Sequence, residues 1–366
     1  GIWSAVSALA MVAGPGLGGL LVDTVGWHSI FWVNVPLGVI TLLMTLSSVK
    51  KDKTPARQPL DWPGLLLSIT SIALLAYTLT HAHDGRWLSS ERLLLLGLTA
   101  LSFGLFWVFE LRSPHPVIPL ALLKNRRFIP VCITQTLVFF MSGGLFFILS
   151  LFLQHVQGYS ATMTGLCFLP MNGAIIVASF ASGWIAARLG WRFPILSGLV
   201  IVTVALLSLT RIGISTEYSE ILWTLVLAGF GGGLTIPTLA ATAMNSVLPS
   251  QEGIASALSS ISIQLGGILG IAIQGALFSG RLTAALKQSL IGWNFPQALQ
   301  TQILGDALQS LTTVPNNLPV PTEVLQQAIR DAFVSGLRSV LLLAALAVIV
   351  SIVFILFVPS KYRAST

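Results

Sequence analysis

The chain has 366 residues, of which 54% are hydrophobic and only 8% are charged. Since a soluble domain carries about a quarter charged residues, this composition excludes a water-soluble globular protein. The net charge of +7 would suit nucleic-acid binding, but the basic residues stand in short segments between apolar runs. That placement instead predicts anchoring of loops at one face of a lipid bilayer, with no nucleic-acid partner.

Ten apolar runs of about twenty residues follow one another along the chain. Each can cross about 30 Å of hydrocarbon as a helix, and lipid offers the backbone no other hydrogen-bond partners. The sequence therefore predicts an all-α, polytopic membrane helical bundle with ten transmembrane helices. The predicted spans are 1–22, 28–49, 63–82, 93–111, 128–153, 163–187, 193–212, 220–246, 254–279 and 335–358.

The basic residues also predict which side each loop faces. Twelve of the 19 Lys and Arg residues follow the second, fourth, sixth and last spans. Because cytoplasmic loops are enriched in these residues, the loops at 50–62, 112–127, 188–192 and 247–253 are predicted to be cytoplasmic. The C-terminus then lies on the same side.

The segment 280–334 is the one long loop in this prediction, and it is placed outside. Its apolar residues recur at helical spacing over 299–311, which favours a short amphipathic helix. Such a helix would lie at the membrane surface or serve as a packed connector, and the sequence leaves both open.

A glycine-rich segment at 14–19 lies inside the first span. It formally matches GxGxxG, but a dinucleotide-binding fold needs a strand before that motif, and none is predicted here. Gly14 and Gly18, with Ala10 one turn earlier, form a stripe of small residues that a neighbouring helix can approach closely. Pro15 removes one backbone donor and favours a kink.

Two segments resemble a known family. The segment 13–19 (AGPGLGG), with Gly14, Pro15, Gly18 and Gly19, resembles the antiporter motif of the fifth helix in the major facilitator superfamily. The segment 26–38 (GWHSIFWVNVPLG) resembles the start of the sixth helix in the fourteen-helix drug:proton antiporters of that superfamily. By this resemblance, the ten spans correspond to the last ten helices of the fourteen.

A third segment resembles the family's cytoplasmic loop motif in its second copy. Its residues are Gly183, Arg188, Gly190 and Arg192, with Ala187 where the motif has an aspartate. The substitution removes the carboxylate that a charge relay in this loop would need. Two further family-like segments are 154–160 and 230–234.

The resemblance implies a proton-coupled efflux antiporter for hydrophobic or cationic drugs in the bacterial inner membrane. Its partners would be a drug-like small molecule, protons and the lipid bilayer, with the proton gradient as energy source and no cofactor. A periplasmic adaptor is left open. It also implies a division into 1–49, the last two helices of the N-terminal half; 50–127, two linking helices; and 128–366, the C-terminal six-helix half.

By this resemblance, the family's first four helices are expected to have no counterpart in the given sequence. In the family they carry the best-known loop motif, a coupling arginine and an acidic residue within the membrane. Since no Asp or Glu lies near the middle of a span here, no proton carrier is nominated. The chain as given is therefore expected not to transport.

Uncharged polar residues on helix faces are the candidate substrate contacts. Together they could line a cavity with aromatic faces for amphipathic or cationic solutes, and the resemblance places 128–153 and 220–246 at that cavity. Alternatively, each could bond a neighbouring helix, which contributes about 1 kcal/mol. The predicted substrate-binding residues are Gln135, Phe139, Ser142, Asn172, Thr235, Thr238 and Gln264.

The resemblance further predicts a close contact between the first span and the span 163–187. Gly14 and Gly18 would face the small residues Gly173 and Ala174, because helices in lipid associate through packing. The contact would close the outer mouth of the transporter.

Other functions are weaker alternatives. The chain could export an endogenous metabolite or a lipid-like compound. A membrane-embedded enzyme or receptor-like protein belongs to a different class, and an enzyme would need converging nucleophile, acid–base or metal-binding residues. The five His are scattered without ligand spacing, so neither an enzyme nor a metal site is predicted.

Overall fold

A computed structural model describes residues 2–48, 61–80, 89–113, 122, 124–292, 303 and 322–358. Within those residues the regular structure is helical, without strands. The helices are α1 (Ile2–Thr24), α2 (Ser29–Trp32), α3 (Asn34–Ser48), α4 (Trp62–Thr80), α5 (Ser90–Arg112), α6 (Phe128–Leu151), α7 (Ala161–Cys167), α8 (Leu169–Leu189), α9 (Arg192–Leu209), α10 (Tyr218–Met244), α11 (Glu252–Gly292) and α12 (Thr322–Phe357).

Each of the ten predicted spans contains a described helix. Among the residues that the structure describes, eight helical stretches have the length and hydropathy needed to cross a membrane, and Trp62–Thr78 is a shorter apolar helix. Two predicted spans are broken, at Val33 between α2 and α3 and at Phe168 between α7 and α8. The predicted all-α, multi-pass membrane fold is confirmed.

Local residues set several helix ends. Ser160 precedes α7, and its hydroxyl accepts a hydrogen bond from the Met163 N–H at 3.1 Å, which satisfies one of the free donors of that first turn. Gly190 follows α8 with a φ of +85°, a conformation that costs glycine little because it has no Cβ. α8 therefore ends at Leu189, inside the predicted loop motif that runs from Gly183 to Arg192.

The predicted long outer loop, 280–334, is wrong at both described ends. α11 continues to Gly292 as a helix of 41 residues, about 60 Å long at about 1.5 Å per residue, which is twice the thickness of the hydrocarbon. α12 begins at Thr322. The rings of Phe278 and Phe333 lie 4.7 Å apart, so apolar contacts continue between the two helices.

Leu282, Leu286 and Leu290 are buried along this extension of α11. Their spacing of four residues is a helical pattern that the loop prediction overlooked. The predicted amphipathic helix at 299–311 lies outside the described residues, apart from Ile303, which is buried.

Helices α6 to α12 pack into one bundle. α6 packs on α11 and α12, while α10 packs on α8 and α9. Glycines bring these backbones together: a Cβ on Gly270 of α11 would collide with the carbonyl oxygen of Phe140 in α6. A Cβ on Gly233 of α10 would likewise collide with the carbonyl oxygen of Ile175 in α8.

Helices α4 and α5 form a separate pair that also touches α11. The hydroxyl oxygens of Ser71 and Ser102 lie 2.7 Å apart, and both side chains are buried between the two helices. Helix α3 has no buried residue. The proposed division of the chain at residues 49 and 127 stays a prediction.

Candidate functional site

The loops of the bundle gather at two opposite ends. At one end, the Asn125 side-chain amide before α6 donates to the Ser246 carbonyl after α10 at 2.7 Å. At the other, the Gln157 amide after α6 donates to the Ile214 carbonyl before α10 at 3.2 Å. Alternate loops therefore share an end, as the charge pattern requires, and the assignment of the first end to the cytoplasm stays a prediction.

An apolar cavity of about 170 Å³ lies inside the bundle, between α6, α8, α9, α10 and α12. Three of the predicted substrate-binding residues line it, namely Phe139, Ser142 and Thr235. Since pockets for drug-sized ligands are typically about 300–1,000 Å³, the cavity in this conformation holds only part of such a molecule.

The two hydroxyl groups in the cavity wall donate their hydrogens within their own helices. The Ser142 hydroxyl donates to the Val138 carbonyl at 3.0 Å, and the Thr235 hydroxyl donates to the Gly231 carbonyl at 2.8 Å. Each oxygen retains lone pairs that can accept a further hydrogen bond. The cavity thus combines apolar walls with acceptors suited to a cationic N–H group.

The other four predicted residues lie elsewhere. Gln135 is buried, and its Oε1 accepts from the Ser259 hydroxyl at 3.0 Å, which joins α6 to α11. Asn172 is also buried, and Thr238 lines a different crevice. Gln264 is exposed on α11, a helix that contributes nothing to the cavity wall. The substrate role of all seven residues stays a prediction.

Most of the apolar cavity wall was not predicted from the sequence. Met171 and Ile175 of α8 line the cavity together with Gly232 and Ile236 of α10. Each pair has the spacing of four residues that places side chains on one helix face. Apolar residues fill every face of a membrane helix, however, so the pattern alone does not separate cavity-lining residues from lipid-facing ones.

A second crevice, of about 580 Å³, opens between α8 and α10 at the end of the bundle that carries Asn125 and Ser246. Gly183 and Gly190 of the predicted loop motif line it together with Thr238. The loop motif therefore borders a substantial open space.

The two arginines of the loop motif stand beside tryptophan rings. The guanidinium carbon of Arg188 lies 4.0 Å from the ring centre of Trp184. That of Arg192 lies 5.6 Å from the ring centre of Trp191. Both distances are within the range of a cation–π attraction.

The antiporter motif makes the predicted helix contact, since α1 packs on α7 and α8. The backbones meet at two places. A Cβ on Gly19 would collide with the backbone of Ala161, and a Cβ on Gly165 would collide with the carbonyl of Pro15. The contact between the first span and 163–187 is confirmed.

The predicted contact stripe is wrong. A Cβ built on Gly14, Gly18 or Gly173 meets no heavy atom within 4 Å. α1 instead meets the short helix α7 through Gly19, because a Cβ there would lie against the Ala161 and Thr162 backbone. Gly18 instead lines an open cleft of about 260 Å³ beside this contact.

Asp23 adds a polar contact beyond the end of the predicted first span. Its carboxylate accepts a hydrogen bond from the Thr162 backbone N–H at 2.8 Å. Hydrogen bonds from the Thr162 side chain and backbone lower the pKa of this exposed carboxyl below its usual 3.8. The carboxylate is therefore ionised at neutral pH and joins α1 to α7.

Comparison with known proteins gives consistent matches. Residues 1–271 match the family model described as Major Facilitator Superfamily. The chain is 32% identical over 311 residues to the Multidrug resistance protein Stp of Mycobacterium tuberculosis, covering 84% of this chain and 57% of Stp.

Two other relatives match nearly the whole chain. The Multidrug resistance protein 3 of Bacillus subtilis is 28% identical over 374 residues, covering 100% of this chain and 71% of that protein. The Tetracenomycin C resistance and export protein of Streptomyces glaucescens is 27% identical, covering 98% of this chain and 67% of that protein. The chain thus spans from 57% to 71% of the length of these relatives, and the resemblance noted in the sequence is confirmed.

Proposed function

Because the chain belongs to the Major Facilitator Superfamily, we propose that it acts in proton-coupled efflux of hydrophobic or cationic drugs. Three relatives whose names specify drug resistance or export support this proposal. Those relatives are bacterial, which favours the bacterial inner membrane as the site of action. The proton gradient would supply the energy, without a cofactor.

The apolar cavity lined by α6 and α10 is the observation that supports the proposed substrate class. Its walls are apolar, and the Ser142 and Thr235 oxygens can still accept a hydrogen bond. An apolar drug would be stabilised by the walls alone, and a cationic drug could also donate an N–H to these oxygens. An anionic drug would find no donor there, since both hydroxyl hydrogens are already engaged.

Substrate entry requires the cavity to enlarge. It lies where the pair formed by α6 and α11 meets the group formed by α8, α9 and α10. Glycine contacts hold each of these groups together internally, for example Gly270 with Phe140 and Gly233 with Ile175. Movement of one group against the other would therefore open the cavity without breaking either set of contacts.

An exporter of an endogenous metabolite or lipid-like compound is the second candidate, because an apolar cavity would also accept an acyl chain. Measuring dye accumulation distinguishes these two candidate functions. The full-length protein, expressed in a drug-hypersensitive bacterium, is expected to lower accumulation of a cationic dye, and an uncoupler is expected to abolish that effect. Unchanged accumulation of every cationic and neutral drug tested would favour the endogenous substrate.

A substitution within α10 tests the cavity itself. Ala228→Leu would fill part of the cavity, so efflux of bulky drugs is expected to fall while the amount of folded protein stays normal. Ala240→Leu, at an exposed position of the same helix, is the matched control and should transport normally. Equal transport by both variants would remove this cavity from the substrate path.

A further inference from the structure

The open cleft beside the contact of α1 with α7 contains a group of neutral polar side chains. It has a volume of about 260 Å³. Its polar members are Thr164 of α7 and, near the end of α6, Ser150 and Gln154. None of the described residues that line the cleft is charged, and none of them lines the drug cavity. The cleft is therefore a second space with a chemistry of its own.

Thr164 has a buried hydroxyl group that lacks a partner. Its side chain is 3% exposed, and within the described part of the chain the hydroxyl oxygen has no hydrogen-bond partner. Thr235 and Thr238, by comparison, each donate to the carbonyl four residues earlier. Because a buried polar group without a partner is unfavourable, the position indicates a site where a ligand supplies the missing hydrogen bond.

Gln154 provides an acceptor at the same cleft. It lies in a π-helical turn, Phe152–Val156, that follows α6, and such turns are rare and frequently occur at functional sites. Its Nε2 donates to the Ser150 hydroxyl oxygen at 2.9 Å, while no residue that the structure describes bonds its Oε1. The cleft thus offers an amide oxygen as acceptor and the two hydroxyl groups of Ser150 and Thr164 as donors.

Two aromatic rings lie where the cleft and the drug cavity approach each other. Phe146 lines the cavity and Phe168 lines the cleft. Their ring centres are 5.3 Å apart, and the ring planes meet at 49°. Rotation of either ring would therefore bring the two spaces closer to a single connected passage.

Helix α6 also connects the two spaces. Ser142 and Phe146 face the cavity, whereas Ser150 and Gln154 face the cleft. These positions follow one another at steps of four residues, which places them along one side of the helix. The cleft lies at the end of the bundle that carries Gln157, which the charge pattern predicts to be outside. A molecule that leaves the cavity along α6 toward that end would reach the cleft.

We propose that the cleft is a release subsite on the drug path, where a neutral hydrogen-bonding group of the exported drug binds Thr164 and Gln154 after passing the Phe146–Phe168 pair. This subsite rests on the proposed efflux function. The cavity selects apolar and cationic molecules, and the cleft adds a preference for drugs that carry amino, hydroxyl or amide groups. Gly18 keeps the cleft open, since a Cβ there would have no heavy atom within 4 Å.

Transport by the full-length protein in inside-out membrane vesicles tests the subsite. Ethidium and tetraphenylphosphonium are both apolar cations, but only ethidium carries amino groups. Thr164→Val keeps the shape of the side chain and removes the hydroxyl. It is expected to raise the apparent KM for ethidium about fivefold, because a neutral hydrogen bond contributes about 1 kcal/mol. The KM for tetraphenylphosphonium should not change.

Thr283→Val is the matched control. Its hydroxyl donates to the Ser279 carbonyl within α11 at 2.8 Å, and no α11 residue lines the cavity or the cleft. Both cations should be transported normally by this variant. In Thr164→Val, an equal rise of KM for both cations, or an unchanged KM for ethidium, would overturn the subsite and leave the efflux function standing. If the unaltered protein exports neither cation, the efflux function fails and the subsite fails with it.

Cysteine labelling detects occupancy of the cleft without transport and so covers the case in which Thr164→Val impairs folding. Gly18→Cys places a thiol in the cleft of the purified full-length protein, where the two native cysteines of the described chain are buried. Ethidium at about ten times its dissociation constant should slow the reaction with a soluble maleimide about tenfold, because only the unoccupied fraction reacts. Val25→Cys, at a position that is 73% exposed and outside the cleft, should react at the same rate with and without ethidium. An unchanged rate for Gly18→Cys would overturn the proposal.

Discussion

The C-terminal bundle and the α4–α5 pair hold their helices together in different ways. In the bundle, glycines let backbones touch: Gly231 packs on the Gly198 carbonyl, and Gly270 packs on the Phe140 carbonyl. In the pair, a Cβ on Gly97 or Gly104 would meet no heavy atom within 4 Å. There, buried hydroxyl groups are paired across the interface instead.

The difference follows from the few kinds of interaction that can hold helices together in lipid. Since lipid tails are as apolar as the side chains, helices associate through close packing and through hydrogen bonds between them. Backbone packing fixes many atoms at once and gives a rigid unit. A hydroxyl pair fixes one point and contributes about 0.6 kcal/mol on average. The helices of the bundle are therefore expected to move together as rigid groups. The α4–α5 pair is expected to tolerate substitutions with a smaller loss of stability.

The largest effect is expected from Gly270→Ala in the bundle. Its new methyl group would collide with the Phe140 carbonyl, and overpacking of this kind costs about 1–3 kcal/mol. Thermal unfolding in detergent should show a lower melting temperature. Gly267→Ala is the control on the same helix, because its methyl group would have no atom within 4 Å. Equal stability of the two variants would show that the backbone contact is unimportant.

The next effect is expected from Gly19→Ala at the contact of α1 with α7. The methyl group would push against the backbone of Ala161, so the Thr162 amide should exchange its hydrogen faster as the helices separate. Gly14→Ala should leave the exchange rate unchanged, since its Cβ has no neighbour within 4 Å. Hydrogen exchange with mass spectrometry measures both, and faster exchange in the Gly14 variant alone would restore the originally predicted stripe.

A smaller effect is expected from Ser71→Ala in the α4–α5 pair. It removes the 2.7 Å bond to Ser102 and should lower the free energy of unfolding by about 0.6 kcal/mol. Ser68→Ala removes only a bond to the Leu65 carbonyl in the same helix and serves as the control. A loss as large as that of Gly270→Ala would contradict the proposed difference between the two regions.

The smallest effect is expected from pH at Asp23. Hydrogen bonds from Thr162 lower the pKa of this carboxyl, so its contribution to the contact is present above the usual pKa and disappears only as pH falls through the lowered value. Protection of the Thr162 amide, corrected for intrinsic exchange, should be constant between pH 5 and 8. Asp23→Asn should reduce it throughout. Loss of protection between pH 7 and 5 would show that Asp23 titrates in that range.

The sequence predicted the spans well because hydropathy and span length depend on local composition. It also predicted that α1 would meet the span 163–187, but not through which residues. Gly14, Gly18 and Gly19 are equally small, so size alone does not indicate which of them contacts α7. The choice of Gly19 is a property of the packed structure.

The predicted substrate-binding residues also divide into those that line the cavity and those that lie elsewhere. Phe139, Ser142 and Thr235, which line the cavity, were selected because polar or aromatic residues stand out in an apolar span. Gln135 stood out equally, yet its amide oxygen is engaged by Ser259 of α11. Polarity marks residues that need a partner, and only the packed structure shows whether that partner is another helix or a cavity.

The length of α11 has a mechanical consequence. It runs without a break from Glu252 to Gly292, about 60 Å, and its first residues lie at the end of the bundle opposite to its tip. A straight helix of that length that tilts by about 5° at its first residues moves its last residues sideways by about 5 Å. A spectroscopic probe at exposed Lys287 would therefore report small rearrangements at the far side of the membrane as displacements large enough to measure.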